Sequence, residues 1–403
     1  MISSLNNLNN NKKNVLLITR GVLSLEKNLY GGAEIYVLRI AEQLNARGFQ
    51  VGIIADCSSE ILELLNKKGI TIYNIGFPHF LRDLCRKLGF WGWLILHFVG
   101  NILATIKALR VIKSFEYNIV HCHANLACLL LSYFNRRVKL IYTLHDSGPW
   151  LSYYDGFIKR IIRKLVFYNF DVRAVKRSEV TTVVFQLLKE HLIKEFSIPI
   201  KKIKVISSGV DLLHFSASKI DKREYFIFIG QLTWRKGLDV LLTLAEKIEF
   251  FKLKIIGDGE LAEWLLSEID NRKLGSKVEF IGAVSRDKIV DYFHKAKALV
   301  LPSRADAMPL VVLESLSCSV PVIATNVGGI PELVKHRYTG FIYEVDDLIG
   351  FENAIRIIEN DTKFALELGA NGRKFVENTF SWEVISTLFE NIYFDNDVIT
   401  NQN

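Results

Sequence analysis

Short apolar runs alternate with helically periodic stretches along most of this 403-residue chain. A run at 15–19 leads through Gly31-Gly32-Ala33-Glu34 into 35–47, where Ile35, Leu38, Ile40, Ala41 and Leu44 recur at helical spacing. Runs at 51–55 and 71–74 flank a helical pattern over 60–68, and runs at 119–122, 139–144, 180–184 and 203–206 continue the series. After Ser207-Ser208-Gly209-Val210-Asp211 and a polar connector through Arg223, a second series begins. Its runs lie at 225–229, 253–256, 278–281, 298–301 and 320–324, with helices from Leu238 and over 310–316. Strand–helix alternation predicts parallel, doubly wound α/β sheets. The length exceeds one ordinary core, so two domains are expected.

One stretch breaks the rhythm. Residues 90–100 are apolar and aromatic, and Arg82, Arg86 and Lys87 precede them. The stretch is too short, and too interrupted by His97 and Asn101, to span a membrane. Two readings stay open: a helix packed in the first domain's core, or a helix dipping into a membrane surface with basic residues at the headgroups. A second basic cluster, Lys159-Arg160 with Arg163-Lys164, suits the second reading.

Composition narrows the class. Half the residues are hydrophobic and 23% are charged, which describes globular protein and not a disordered chain. The five cysteines, Cys57, Cys85, Cys122, Cys128 and Cys318, show neither zinc nor disulfide-framework spacing, which suits a reducing cytoplasm. The Asn-rich start, 1–14, lacks the apolar core of a signal peptide and is expected to be a disordered tail. Charge is uneven: residues 1–200 carry 26 Lys and Arg against 14 Asp and Glu, and residues 201–403 carry 25 against 29. A basic first half points to anionic partners or simply to solubility. The basic residues form no nucleic-acid-binding module.

Candidate chemistry gathers where strands end. Ligands of doubly wound sheets sit beyond the strands' carboxyl ends, which places His145 where chemistry would occur. His121-Cys122-His123 invites a metal, but neighbours in an extended chain point to opposite faces and no further ligands cluster nearby. That pair is expected to be structural or to contact substrate. The Gly31-Gly32 loop is neither G-x-G-x-x-G nor a Walker loop, so nicotinamide and P-loop chemistry are poorly supported. In the second half, Gly230-Gln231 leads to Arg235-Lys236-Gly237, where two cations could neutralise a diphosphate. Gly257-Asp258-Gly259 and Val327-Gly328-Gly329-Ile330-Pro331-Glu332 end other strands. Between them, Asp306 precedes a helix start with Pro309 expected at its first position, and Glu314 lies inside that helix. The two carboxylates could grip hydroxyls at different points of one ligand.

Taken in this order, with Ser208-Gly209-Val210-Asp211 at the join and Phe380-Ser381-Trp382 near the end, these motifs resemble the glycosyltransferase family four (group 1) enzymes. The resemblance implies the GT-B fold, two facing Rossmann-like domains. It implies an acceptor-side domain over 15–206 plus 380–403, whose last helix crosses back, and a nucleotide-sugar domain over 207–379. It further implies retaining transfer of a sugar from a nucleotide diphosphate donor to a glycan, lipid-linked or glycolipid acceptor in cell-surface polysaccharide or glycoconjugate synthesis. Glu314 corresponds to the glutamate that accepts ribose hydroxyls, and Asp306 to the one that contacts donor-sugar hydroxyls. Lys236, with Arg235, corresponds to the diphosphate ligand, and His145 to the histidine beside the reacting centre. Gly31 and Gly32 would let backbone approach the phosphates, and Gln231, Met308, Pro309 and Leu310 complete the expected donor contacts. The departing phosphate oxygen helps take the acceptor proton in this family, so no cofactor, metal or dedicated base is expected. Localisation is expected on the cytoplasmic side, peripheral to the inner membrane face. Two positions depart from the family pattern: Asp306 stands for glutamate, and neutral Gln231 for arginine. Both also suit the alternative, a catalytically weakened homologue that binds nucleotide or glycan. A GT-B epimerase or phosphorylase would need catalytic acids or a cofactor lysine for which no motif is present.

Overall fold

A computed structural model describes residues 13–23, 32–77, 87–88, 90–134, 137–145, 161–162, 164–217 and 223–394. In the first half, strands β1 (Asn14–Leu23), β2 (Gln50–Cys57), β3 (Thr71–Asn74), β4 (Ile119–Cys122), β5 (Lys139–Leu144), β6 (Val180–Val183) and β7 (Ile203–Val205) alternate with helices. Those helices are α1 (Gly32–Ala46), α2 (Ser59–Lys67), α3 (Phe90–Ser114), α4 (Asn125–Phe134), α5 (Asn169–Arg177) and α6 (Gln186–Phe196). The strands form a 7-stranded sheet in the order β3-β2-β1-β4-β5-β6-β7, with every pairing parallel.

The second half repeats the plan. Strands β8 (Tyr225–Ile229), β9 (Leu253–Ile256), β10 (Val278–Gly282), β11 (Ala296–Leu301), β12 (Val322–Thr325) and β13 (Gly340–Tyr343) form a 6-stranded parallel sheet in the order β10-β9-β8-β11-β12-β13. Its helices are α7 (Leu238–Lys247), α8 (Ala262–Asn271), α9 (Arg286–Lys295), α10 (Leu310–Ser317), α11 (Ile330–Leu333), α12 (Leu348–Asn360) and α13 (Thr362–Thr379), after which α14 (Trp382–Tyr393) ends the described chain. Near-continuous apolar strands such as β8 and β12 are buried along their whole length, as strands covered on both faces must be.

The last helix returns to the first domain. Ser381 Oγ caps α14, accepting from Val384 N at 3.3 Å. Phe389 and Trp382 then pack edge-on against Tyr36, and Arg47 Nη1 bonds Glu390 at 2.8 Å. At the join Val210 bridges Ser381, and a Cβ on Gly209 would meet the Trp382 ring, so only glycine lets the two crossings lie so close.

Several boundaries differ from expectation for local reasons. Asn14 belongs to β1 and not to a tail; it is buried and its Nδ2 donates to Glu116 O at 2.9 Å. β12 begins two residues later than its apolar run, because Pro321 has no N–H to give the ladder. The edge strand β13 lies outside the expected series; its four residues, two buried and two half-buried, carry too little pattern to stand out.

The apolar stretch at 90–100 is a turn-by-turn inversion of the usual surface helix. In α3 the polar residues face inward: His97, Asn101 and Thr105 are buried, and Asn101 Oδ1 accepts from Ala127 N of α4 at 3.0 Å. Trp91, Ile95, Val99, Ile102 and Ile106 face outward, with Trp91 57% exposed. Spacings of four, four, three and four residues put them in one stripe. The helix therefore does pack on the first domain's core, through polar and small residues with Leu109, Val111 and Ile112 near its end, and its outward apolar stripe is exposed. Arg82, Arg86 and most of the second basic cluster lie outside the described residues.

Candidate functional site

The second sheet holds its strand-end loops together with glycines. β8 runs out into Gly230, and a short turn at Trp234–Lys236 closes on Gly237, whose φ of +70° suits glycine alone. A Cβ on Gly237 would overlap the Pro302 carbonyl, and one on Gly257 or Gly259 would overlap the carbonyls of Gly230 or Leu232. Leu232 N donates to Asp258 O at 2.9 Å and Leu261 N to Leu232 O at 3.1 Å, so the loops after β8 and β9 interlock. Arg304 ties in the loop after β11: its backbone N donates to Arg235 O at 2.7 Å, and its guanidinium grips both oxygens of Asp239 at 2.7 Å. Gly329 N donates to Ala307 O at 2.6 Å, which brings the loop after β12 to the same place.

Lys236 and Asp306 meet at the centre of these loops. They form a close ion pair with side chains 9% and 12% exposed, and Ser303 Oγ adds a 3.4 Å bond to the same carboxylate oxygen. The Asp306 backbone is held from behind by Gly328, φ +54°, where a Cβ would overlap the Asp306 carbonyl. Gly328→Ala is accordingly expected to cost more than ~1 kcal/mol and to lower turnover by displacing Asp306. Thermal melts and turnover assays check this, and an unchanged melting temperature would contradict it.

Glu314 does not join this pair. It projects from α10 into a buried position where Arg286, at the start of α9, forms a close ion pair with it. Burial raises the carboxyl above its ordinary range, opposed by the charges of Arg286 and His214 and by the Arg286 hydrogen bond. The expected two-carboxylate grip is thus two separate ion pairs on one helix and its leading turn. Arg286 was not anticipated, nor was the loop-fixing role of Arg304. A cation just past the end of β10 was the available signal for Arg286. Pro309 precedes α10 as its cap and Leu310 is the first helical residue, one position later than anticipated. Gln231 is exposed, Arg235 and Met308 are half-buried, Gly32 opens α1, and Gly31 lies outside the described residues.

The first domain reaches this site at three points. Ala307 and Met308 pack against its core, and Met308 also packs against the second domain's. Glu332 Oε1 accepts from Gln186 N at 2.6 Å, capping α6 from across the gap. Phe185 lies against Gly329. His145, one residue past β5 and half-buried, sits edge-on to Tyr36 at 4.8 Å and within 2.8 Å of His123. His121 spends both ring nitrogens, on Tyr393 at 2.8 Å and Thr143 at 2.5 Å, so it is structural.

Family comparisons agree with this layout. A model described as "Glycosyltransferase Family 4" matches residues 30–213, and one described as "Glycosyl transferases group 1" matches residues 210–375. An uncharacterised glycosyltransferase of Methanocaldococcus jannaschii is 25% identical over 91% of this chain and 94% of its own. The N-acetyl-alpha-D-glucosaminyl L-malate synthase of Bacillus anthracis is 28% identical over 72% of this chain and 77% of its own. Among solved structures, sucrose-phosphate synthase of Thermosynechococcus elongatus superposes with a TM-score of 0.77 at 20% identity, covering 95% of this chain and 99% of that one. Anabaena HepE in complex with UDP-glucose gives 0.72 at 19% identity over 95% of this chain and 99% of its own. At such identities these structures speak for the fold.

Proposed function

Because the chain belongs to the group 1 glycosyltransferases of family four, transferases that use nucleotide sugars, we propose that it retains anomeric configuration while moving a sugar onto a lipid-linked or glycolipid acceptor at a membrane surface. The observation that carries the site reading is the convergence of four strand-end loops on the Lys236–Asp306 pair, beside a turn that also touches the first domain. An ammonium has three N–H donors, so Lys236 can keep one on Asp306 and turn the others to a diphosphate. Leaving-group charge then develops against fixed cations, Lys236 and Arg235, and the amides opening α10, which is where electrostatic stabilisation is most effective. Asp306 accepts donor-sugar hydroxyls and Glu314 accepts ribose hydroxyls, while Arg286 holds its other oxygen. His145, at the end of β5 in the first domain, is assigned to the reacting centre, and Gly32 at the start of α1 would let backbone approach the phosphates. No dedicated protein base, metal or cofactor is required if the departing phosphate oxygen takes the acceptor proton. A panel of UDP-, GDP- and ADP-sugars, with NMR of the product's anomeric linkage, tests the proposal. An inverted linkage would end the retaining reading, and nucleotide binding without turnover on any donor would favour the weakened homologue.

The acceptor class rests on α3. No helix among the described residues is long and apolar enough to cross a membrane. Yet an outward stripe from Trp91 to Ile106 spans sixteen residues, roughly 22 Å over fifteen rises of 1.5 Å, on the half of the chain that is basic. Anionic lipid complements both features, and a cytoplasmic, inner-face location follows. The protein is expected to co-sediment with anionic vesicles at low salt and to be released by added salt. Ile95→Asp with Ile102→Asp is expected to abolish sedimentation while keeping a cooperative melt, since both side chains are exposed. Undiminished sedimentation of that variant would remove the docking reading.

A further inference from the structure

The first sheet delivers three histidine rings to one place. His121 and His123 alternate on β4 and its extension and so share a face, their ring centroids 4.3 Å apart. His145 follows from the neighbouring strand β5 and stacks on His123 at 5.1 Å and 28°. Tyr36 closes the other side, edge-on to His145 at 4.8 Å and to His123 at 5.8 Å. His121 leads away from the cleft, through Thr143 to Thr182 and through Tyr393 to the last helix. His123 leads toward it: its Nδ1 lies 2.8 Å from His145 Nε2.

Two observations fix where the protons sit. First, His123 is buried, and both burial and the neighbouring rings His121 and His145 hold it well below the usual histidine range, so it carries a single proton. Second, His123 Nε2 is buried with no hydrogen-bond partner among the described residues. A proton on Nε2 would be a buried donor aimed at nothing, whereas a bare lone pair there is the milder deficit. The proton therefore belongs on Nδ1, facing His145. A protonated His145 Nε2, in either the neutral or the cationic ring, would force the His123 proton back onto the orphaned nitrogen.

We infer that His123 is a positioning residue for the transfer reaction: its Nδ1–H donates to His145 Nε2 and holds the His145 ring as the tautomer protonated at Nδ1. In that tautomer the His145 ring can act at its other nitrogen only as a donor and not as a base. This inference rests on the reading of His145 as lining the reaction centre. It gives His123, which sequence patterning left between structure and substrate contact, a role through another ring. The tautomer also agrees with a reaction in which the leaving phosphate oxygen, and no histidine, accepts the acceptor's proton.

Long-range ¹⁵N–¹H NMR of the full chain labelled at histidine, with His145 assigned from a His145→Gln sample, tests this at neutral pH. His145 is expected to show a protonated Nδ1 and a bare Nε2. A proton on Nε2, or on both nitrogens, overturns the inference. Two variants give a kinetic arm. In His123→Asn the amide nitrogen takes the place of Nδ1 and can still donate, so kcat is expected to stay within about threefold of wild type. In His123→Asp the carboxylate only accepts, and kcat is expected to fall by more than about tenfold with donor KM little changed and the His145 proton moved to Nε2. Equal kcat in two folded variants overturns the inference, and if His123→Asp does not fold, the wild-type spectrum decides alone. Should the tautomer be as stated while His145→Gln turns over at the wild-type rate, the pairing stands and the placement of His145 at the reaction centre fails.

Discussion

Lys236→Met is expected to lower donor turnover by about 10²- to 10³-fold, the usual loss when one fixed donor to developing charge is removed. The same change is expected to destabilise the fold. Lys236 is 8% exposed and its partner Asp306 has a side chain 12% exposed, so methionine leaves a nearly buried carboxylate unpaired. Breaking a buried pair from one side costs ~3–5 kcal/mol. Adding Asp306→Asn removes the stranded charge, and the double variant is expected to recover most of that stability while recovering none of the turnover. Urea melts and donor-hydrolysis assays on both single variants and the double variant separate the two effects. Full turnover in Lys236→Met would dismantle the site assignment. A double variant no more stable than the single would show that the pair is not the energetic unit described.

Glu314→Gln is expected to weaken nucleotide binding by about 10- to 100-fold, the worth of hydrogen bonds to a charged acceptor. The pH dependence is more diagnostic. Burial, acting against Arg286 and His214, raises the Glu314 carboxyl above its ordinary 4.5. A carboxyl raised in the folded state contributes stability that is full below the ordinary value and is lost as pH rises through the raised one. The ribose needs the ionised form, so affinity rises over the same window. Wild type should therefore bind nucleotide more tightly and melt more easily as pH climbs from the ordinary glutamate range. The glutamine variant should show neither slope there. Cys318, which also faces this carboxyl, is pushed up by burial and does not change charge in that window. Calorimetric titration with UDP and thermal melts across a pH series read both slopes, and parallel slopes in wild type and variant would refute the assignment.

Much of this was legible in the residues. Parallel strands buried on both faces need unbroken apolar runs, so β4, β5, β8 and β9 have the limits their runs announce. Strand β13 and the true start of β12 were not legible, because four residues or one proline carry little periodic signal. Lys236, Asp306 and Glu314 were findable as charged residues just beyond strand ends, a property of chain order. What each touches was not. Arg286 is 28 positions from Glu314, and Asp306 is 70 from Lys236. Side-chain pairing at such separations is set by how the sheet stacks its loops. The direction of α3 was equally hidden: its residues are apolar nearly all round, so composition could not say that His97 and Asn101 would turn inward. The sequence alone determined two doubly wound domains and the short list of residues at their strand ends, because local periodicity and order suffice for both. Only the tertiary structure decided which carboxylate meets which cation, which nitrogen of His123 faces His145, and which face of α3 is left to the outside, because each depends on elements that are neighbours in space and strangers in sequence.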